Sequence, residues 1–260
     1  MNIEALKVFK ESGEKITCLT AYDASFASVF DTCGIDIILV GDSLGNVIQG
    51  DKNTLDVSMS DMIYHMQAVA KGTQNALRIA DMPYQSYIYA EQTLANAKRL
   101  ITAGAQMVKL EGGCEHEDSF RILQDNSISV CGHLGLQPQS VVEIDGYRVQ
   151  GRGKQGANKI IKNALALASW GVKVIVLECV PAELAKQVSK SVSIPIIGIG
   201  AGLDCDGQVL VSYDMLGVHV RHVPKFVKNF LTDNGDVKSA VNAFIKAVKD
   251  ESFPSKKYSY

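Results

Sequence analysis

Eight short apolar runs, rich in Val and Ile, recur along the 260 residues with longer amphipathic stretches between them. Runs that are apolar at almost every position are typical of parallel strands covered on both faces. Strands that alternate with helices indicate βαβ units, and eight of them in about 200 residues fit a (β/α)8 barrel better than an open sheet. The predicted strands are residues 16–20, 35–40, 76–80, 106–110, 128–131, 172–177, 194–198 and 208–211.

The stretches between these runs carry the start and stop signals of helices. The first opens with Asp23 and ends before Gly34, which is the pattern of an N-cap followed by a C-terminal glycine. Similar signals predict an α/β fold with one domain over residues 1–260, in which C-terminal helices close or decorate the barrel. The predicted helices are residues 23–33, 58–71, 91–103, 158–170, 181–191 and 224–249.

Charge and cysteine content exclude several classes of protein. Lys and Arg total 26 against 28 Asp and Glu, so positive charge does not predominate. This balance argues against nucleic acid or an anionic membrane as the main partner. The sequence contains no run of about 18 apolar residues, so no membrane span is predicted. The first 14 residues contain no signal-peptide core, and the six cysteines form no CxxC pair. These features predict a cytoplasmic protein with reduced thiols.

Five consecutive predicted strands, the second to the sixth, each finish in an ionisable residue. In a (β/α)8 barrel the carboxyl ends of the strands form one rim, and active sites lie on that rim. Any single acid there could simply cap the following helix or face water. Taken together, five such residues predict a functional site formed by Asp42, Asp81, Glu111, His133 and Glu178.

Three of these acids, Asp42, Asp81 and Glu111, are hard oxygen donors on neighbouring strands. Carboxylates of this kind suit Mg²⁺, which binds a few of them and keeps water or substrate oxygens as further ligands. No cluster of His and Cys accompanies them, which argues against zinc. The alternative is a surface cluster of acids with Lys109 as its counter-ion.

Lys109, His133 and Ser43 are candidate substrate contacts, each with a structural alternative. Lys109 lies two residues from Glu111 on one strand, so both side chains share a face, and Lys109 could bind a substrate carboxylate or pair with a neighbouring acid. His133 could polarise a substrate oxygen or bond a carboxylate, or be purely structural. Ser43 could offer its backbone N–H to an anion or cap a helix. The Gly-rich connection 146–153 predicts a lid or a wall of the same mouth.

A metal held by carboxylates beside a separate carboxylate suggests enolate chemistry on an α-keto acid. The cation would chelate the keto and carboxylate oxygens and stabilise the enolate oxyanion. A base must then remove the acidified proton. Glu178, on the far side from the three metal-type acids, is the natural candidate for that base.

At these positions the sequence closely resembles the ketopantoate hydroxymethyltransferase (3-methyl-2-oxobutanoate hydroxymethyltransferase) family. The resemblance runs in order from the first strand to the C-terminal region. It includes the stretches Leu-Val-Gly-Asp-Ser-Leu-Gly and Met-Val-Lys-Leu-Glu-Gly-Gly. The matching segments are residues 20–23, 39–45, 103–113, 130–140, 146–152, 177–181, 194–202, 206–211 and 224–226.

The resemblance implies a (β/α)8 barrel that transfers a hydroxymethyl group from 5,10-methylenetetrahydrofolate to 3-methyl-2-oxobutanoate. The product would be 2-dehydropantoate, a precursor of pantothenate. It implies Mg²⁺ bound through Asp42, Asp81 and Glu111, with Ser43, Asp42, Asp81 and Lys109 contacting the keto acid. It also implies that Glu178 is the proton acceptor, and that the protein is a cytoplasmic homo-oligomer, often a decamer.

The sequence is also compatible with two other functions. One is a related Mg²⁺-dependent barrel enzyme of the phosphoenolpyruvate mutase and isocitrate lyase type, which acts on α-oxo acids. Those enzymes usually carry a reactive cysteine after two lysines, whereas Cys131 here follows Ile-Ser-Val. The other is a barrel without catalytic activity that binds a small acid as a sensor.

Overall fold

The computed structural model describes residues 1–140, 148–218 and 223–260. Eight parallel strands form a closed barrel in chain order, and β8 pairs with β1 to complete it. This confirms the predicted (β/α)8 fold. The strands are β1 (Ile16–Thr20), β2 (Ile37–Val40), β3 (Leu77–Asp81), β4 (Met107–Glu111), β5 (Val130–Gly135), β6 (Val174–Glu178), β7 (Ile196–Ile199) and β8 (Gly207–Leu210).

The strands are buried along almost their whole length, because one face of each lines the barrel interior and the other lies under the helices. Ten α-helices are described in the part of the chain given above. They are α1 (Ile3–Ser12), α2 (Ala24–Thr32), α3 (Met59–Gly72), α4 (Ala90–Thr102), α5 (Glu117–Asp125), α6 (Lys154–Ser169), α7 (Ala182–Ser191), α8 (Ser212–Met215), α9 (Leu231–Asn234) and α10 (Val237–Lys249).

Side-chain caps explain where two of the outer helices begin. The Asp23 carboxylate accepts hydrogen bonds from the amides of Ser25 and Phe26 and starts α2. Ser58 and Asp61 form a reciprocal capping box at the start of α3. Each cap satisfies amides that have no partner within the helix, so the predicted starts of these two helices are confirmed.

The structure differs from the predicted helices in four places. Helices α1, α5 and α8 were not predicted. No helix was predicted between β7 and β8, and none lies there, since residues 200–206 join the two strands. A connection this short has no room for a helix of ordinary length. The predicted C-terminal helix 224–249 was wrong in its first part, because only α9 and α10 are helical there and residues 223–230 are not.

Helix α1 covers the amino end of the barrel. Its Leu6 is buried, and its Lys10 ammonium donates to the Ser189 carbonyl at 2.8 Å and to Asp206 at 2.7 Å. Asp206 in turn accepts a hydrogen bond from the amide of Ile196, at the start of β7. The helix is therefore attached to the end of the barrel that lies opposite the carboxyl ends of the strands.

Asp31, near the end of α2, fixes the turn that leads into β3. One of its carboxylate oxygens accepts from the amides of Asn75 at 2.9 Å and Ala76 at 2.7 Å. The other accepts from the amide of Gln74 at 3.2 Å and the side chain of Asn75 at 3.0 Å. Burial raises the pKa of Asp31, but these hydrogen bonds outweigh it and leave the pKa below its ordinary value.

None of the helices within the described ranges is long and apolar enough to cross a membrane.

Candidate active site

The carboxyl ends of β2 to β6 bring the predicted site residues to one rim. Asp81 and Glu111 are the last residues of β3 and β4, and Glu178 is the last residue of β6. Strand register places Asp81 beside Lys109 and Glu111 beside His133. Parallel pairing therefore converts five separate strand ends into one cluster of polar side chains.

Lys109 and His133 lie between the acids of this cluster. The Lys109 ammonium is 3.1 Å from Asp81 Oδ1 and 3.3 Å from His133 Nδ1. His133 Nδ1 is 3.3 Å from Glu111 Oε1, and its Nε2 is 3.2 Å from Glu178 Oε2. Both contacts are close, but neither His133 Nε2 nor Glu111 Oε1 makes a well-aligned hydrogen bond. The His133 ring thus lies between Glu178 and Glu111, which is one of the three candidate metal ligands.

Asp42 joins the cluster from the loop after β2. Its backbone amide donates to Asp81 Oδ2 at 3.0 Å, and its carboxylate accepts from the Gln139 side-chain amide at 2.7 Å. Ser43, the next residue, has its hydroxyl 2.9 Å from the Tyr22 hydroxyl. All the predicted site residues therefore lie together at the rim, and Ser43 faces the same cavity.

Burial and like charge shift the pKa values of this group. Burial, followed by repulsion from Asp81 and Glu111, raises the pKa of Asp42 to about 8. Burial likewise raises the pKa of Asp81, although Lys109 beside it lowers it. Burial and Lys109 lower the pKa of His133, but the neighbouring glutamates outweigh them and raise it to about 9. His133 is therefore a cation at neutral pH.

The cluster contains more acids than cations. Four carboxyl groups (Asp42, Asp81, Glu111 and Glu178) face two cations, Lys109 and His133, and repulsion from Asp81 and Glu111 is one reason that the pKa of Asp42 is raised. Buried like charges repel strongly unless a further cation is present. A divalent ion carries the charge that would balance this group.

The same donors fit Mg²⁺ by their chemistry. Asp81 Oδ1 and Glu111 Oε1 are buried oxygens without a hydrogen bond, and carboxylate oxygens are the ligands that Mg²⁺ prefers. Within the described residues, however, no three His, Cys, Asp or Glu side chains are grouped to hold a metal as they stand. The acids form a hydrogen-bonded and ion-paired network, so a shared ion requires their side chains to turn toward it.

A cavity of about 680 Å³ opens above these polar groups. Its lining includes Ser43 and Glu178 together with an apolar wall of Leu136, Val176, Ile199, Val209, Val211 and Phe226. Residues 146 and 147 of the predicted lid lie outside the described residues, whereas Arg148 and Val149 from the same connection line the cavity. The combination of a polar floor and an apolar wall suits a small ligand that has both polar and apolar groups.

Two residues of the cluster were not assigned a role from the sequence. Gln139, in the turn after β5, binds both Asp42 and Glu111. The Tyr87 hydroxyl donates to the side-chain oxygen of Gln139. A glutamine in a turn carries no signal of its own, because its partners lie on strands far away in the sequence. Gln139 stood inside the matching segment 130–140, which was the one available indication.

Cys131 lies within β5 and does not line the cavity. Its thiol is buried and donates weakly to the Gly132 carbonyl at 3.4 Å. Burial is the main reason that its pKa rises to about 12, so the reactive thiolate is not formed at neutral pH. The geometry gives no support to a reactive cysteine of the phosphoenolpyruvate mutase type.

Solved structures resemble this fold at low sequence identity. A phosphonopyruvate hydrolase solved in complex with oxalate and Mg²⁺ matches 98% of this chain and 92% of its own with a TM-score of 0.62 and 15% identity. A phosphoenolpyruvate phosphomutase from Streptomyces platensis subsp. rosaceus covers 84% of this chain and 83% of its own, with a TM-score of 0.62 and 13% identity. At these identities the likeness shows a shared fold and nothing about the reaction.

Sequence relatives give a much closer match. The family model for ketopantoate hydroxymethyltransferase matches residues 1–256. A 3-methyl-2-oxobutanoate hydroxymethyltransferase of Vesicomyosocius okutanii is 96% identical, and the alignment covers both chains completely. One from Alteromonas mediterranea is 49% identical over all of this chain and 98% of its own. These matches confirm that the protein is an enzyme, a hydroxymethyltransferase, and the chain belongs to the ketopantoate hydroxymethyltransferase family.

Proposed function

We propose that the protein transfers a hydroxymethyl group from 5,10-methylenetetrahydrofolate to 3-methyl-2-oxobutanoate and so forms 2-dehydropantoate for pantothenate biosynthesis. The observation that carries this proposal is the full-length match to relatives named for this activity, with 49% identity or more. The cavity agrees with such a substrate, because charged groups lie beside an apolar wall. The wall suits the isopropyl group of the keto acid, and the charged groups suit its oxygens.

Asp42, Asp81 and Glu111 would hold Mg²⁺, which when bound withdraws electrons from the keto group and acidifies the proton on C3. Lys109 keeps a positive charge at the floor of the cavity, because the surrounding acids raise its pKa although burial opposes them. That charge favours a substrate carboxylate. Ser43, held by Tyr22, offers a further polar contact at the rim.

Glu178 is the proposed base. It is the most accessible of the four acids, with 15% of its side chain exposed, and it lines the cavity. Its carboxylate would take the proton from C3, and C3 would then form the new C–C bond to the one-carbon unit of the folate. Both C–N bonds of the methylene bridge break, water supplies the hydroxyl oxygen, and the proton from C3 and one proton from water are returned to the two nitrogens, which releases tetrahydrofolate. The cationic His133 lies 3.2 Å from the Glu178 carboxylate and helps to hold it at the cavity.

The test of this proposal is Glu178→Gln, which keeps the size of the side chain and removes the base. We expect the variant to bind Mg²⁺ and 3-methyl-2-oxobutanoate as the unsubstituted enzyme does, yet to lose exchange of the C3 proton with D₂O, followed by NMR. Glu183→Gln, an exposed position at the start of α7, is the matched control and should exchange normally. Full exchange in Glu178→Gln would refute the assignment of the base.

The remaining predictions about the biological unit have indirect support. Family membership supports a homo-oligomer, and the near balance of charges supports a protein without nucleic acid or membrane partners. We propose a single domain, because one closed barrel accounts for the described strands. We also propose a cytoplasmic location, which the scattered cysteines without a CxxC pair support. Sedimentation of the purified protein would measure the number of subunits.

A further inference from the structure

One buried residue, Gln139, binds two of the acids in the cluster at once. Its backbone amide donates to Glu111 Oε2 at 3.0 Å, and its side-chain amide donates to Asp42 Oδ2 at 2.7 Å. The residue is only 4% exposed. It lies in the turn after β5, whereas its two partners follow β2 and end β4, so it connects strand ends that are not neighbours in the barrel.

The orientation of the Gln139 amide is fixed at both ends. Tyr87 donates its hydroxyl to the Gln139 carbonyl oxygen at 2.5 Å, and the NH₂ group also donates to the Met82 carbonyl at 3.0 Å. A flipped amide would point its oxygen at both the Asp42 carboxylate and the Met82 carbonyl, which are acceptors. The NH₂ group therefore has to face Asp42.

Tyr87 is itself held by the helices outside the barrel. Its backbone carbonyl accepts from the Ser119 hydroxyl at 2.9 Å, and that hydroxyl is 2.8 Å from the hydroxyl of Thr93. Ser119 belongs to α5 and Thr93 to α4. The orientation of the Gln139 side-chain amide thus depends, through Tyr87, on contacts with α4 and α5.

We propose that Gln139, oriented by Tyr87, is a positioning residue that keeps the Asp42 and Glu111 carboxyl groups together, so that both can turn toward a divalent cation. One residue thus supplies a neutral donor to each acid, the backbone amide to Glu111 and the side-chain amide to Asp42, which fixes both without adding charge and leaves Glu111 Oε1 without a hydrogen bond. Without these donors the two carboxylates would repel each other and turn apart, so an ion would have to order them as it binds. Partners of this kind commonly tune the affinity of carboxylate and histidine sites for their metal. The inference rests on the metal site of the proposed function.

The experiment measures the Kd of Mg²⁺ by isothermal titration in the absence of substrates. Gln139→Met removes the side-chain donor at similar size, and we expect Mg²⁺ to bind about 10- to 100-fold more weakly. Tyr87→Phe removes only the orienting hydroxyl, and we expect a loss of about 2- to 12-fold, the equivalent of one neutral hydrogen bond. Because Tyr87→Phe deletes a single oxygen atom, it carries the test if Gln139→Met fails to fold.

The controls are matched in chemistry. Gln106→Met changes an exposed glutamine at the amino end of the barrel, and Tyr89→Phe changes a tyrosine that is 69% exposed, so both should bind Mg²⁺ normally. A purely structural role would lower the melting temperature of the Tyr87 and Gln139 variants and leave the Kd unchanged, which would overturn this inference alone. Absence of Mg²⁺ binding in the unsubstituted protein would instead overturn the metal site of the proposed function.

Discussion

Asp31→Asn is predicted to destabilise the protein although it lies outside the candidate site. The Asp31 carboxylate accepts four hydrogen bonds, two on each oxygen, from the segment 74–76 that leads into β3. Asparagine has the same shape but offers one acceptor oxygen and one NH₂ group. Whichever way the new amide is turned, its NH₂ group faces two N–H donors.

The size of the effect follows from these contacts. A hydrogen bond to a charged group contributes about 1.5–3 kcal/mol, and the substitution removes two of them and the charge from the others. The side chain of Asn75 is free to turn away, which recovers part of the loss. We therefore expect the free energy of unfolding to fall by about 3 kcal/mol. Two charge-assisted hydrogen bonds are lost, and the turning of the Asn75 side chain recovers part of that loss. For a chain of this size that corresponds to a melting temperature lower by about 6–12 °C.

The assay is denaturant and thermal unfolding of both proteins at one concentration and at several pH values. The folded-state pKa of Asp31 is lowered, so the carboxylate stabilises the fold above its unfolded pKa, and this stabilisation is lost as the pH falls through the folded value. The difference between the proteins should be full at pH 7 and shrink below about pH 4.

Asp23→Asn is the control for this experiment, because a single oxygen of Asp23 accepts both cap hydrogen bonds. Asparagine serves almost equally well as a helix cap, so the control should lose less than about 1 kcal/mol. If Asp31→Asn were no more harmful than this control at pH 7, the four contacts would not stabilise the turn as argued.

Three further predictions concern the candidate site. Chelation with EDTA should abolish turnover and added Mg²⁺ should restore it; undiminished turnover in the chelator would contradict the metal site. Lys109→Met leaves the buried Asp81 carboxylate without its cation and should cost about 3–5 kcal/mol in denaturant unfolding, with a higher KM for the keto acid. Cys131→Ser should leave kcat and KM unchanged, since the thiol is buried and does not line the cavity; lost activity would favour a cysteine-dependent reaction.

The barrel could be predicted because its signal is local. Each strand is a short, almost wholly apolar run, and the parallel order follows from the alternation with helices. The polar residues at the strand ends, such as Asp81 and Glu178, could be placed on one rim for the same reason, since the end of an apolar run is visible in the sequence. Their convergence then follows from the fold and needs no further information.

Other features depend on contacts that are distant in the sequence. Gln139 binds Asp42 across 97 residues, and neither residue alone indicates that pair. The helix α5 was missed although Phe120 and Leu123 have the spacing of a buried helical face, and α1 was missed although Asn2 caps it. No helix was predicted between β7 and β8, in agreement with the short separation of the two apolar runs.

Helix α1 covers the amino end of the barrel through Leu6 and Lys10, and among the described residues the cavity lies at the opposite end, where the strands finish. In the proposed reaction, the keto acid and the larger folate would both enter through this opening. If the folate occupies this opening as the proposed reaction requires, the keto acid has to bind first to reach the buried charges, and it cannot leave until the folate has left. We expect steady-state kinetics of the compulsory-order type, in which the keto acid enters first and the spent folate departs before the product.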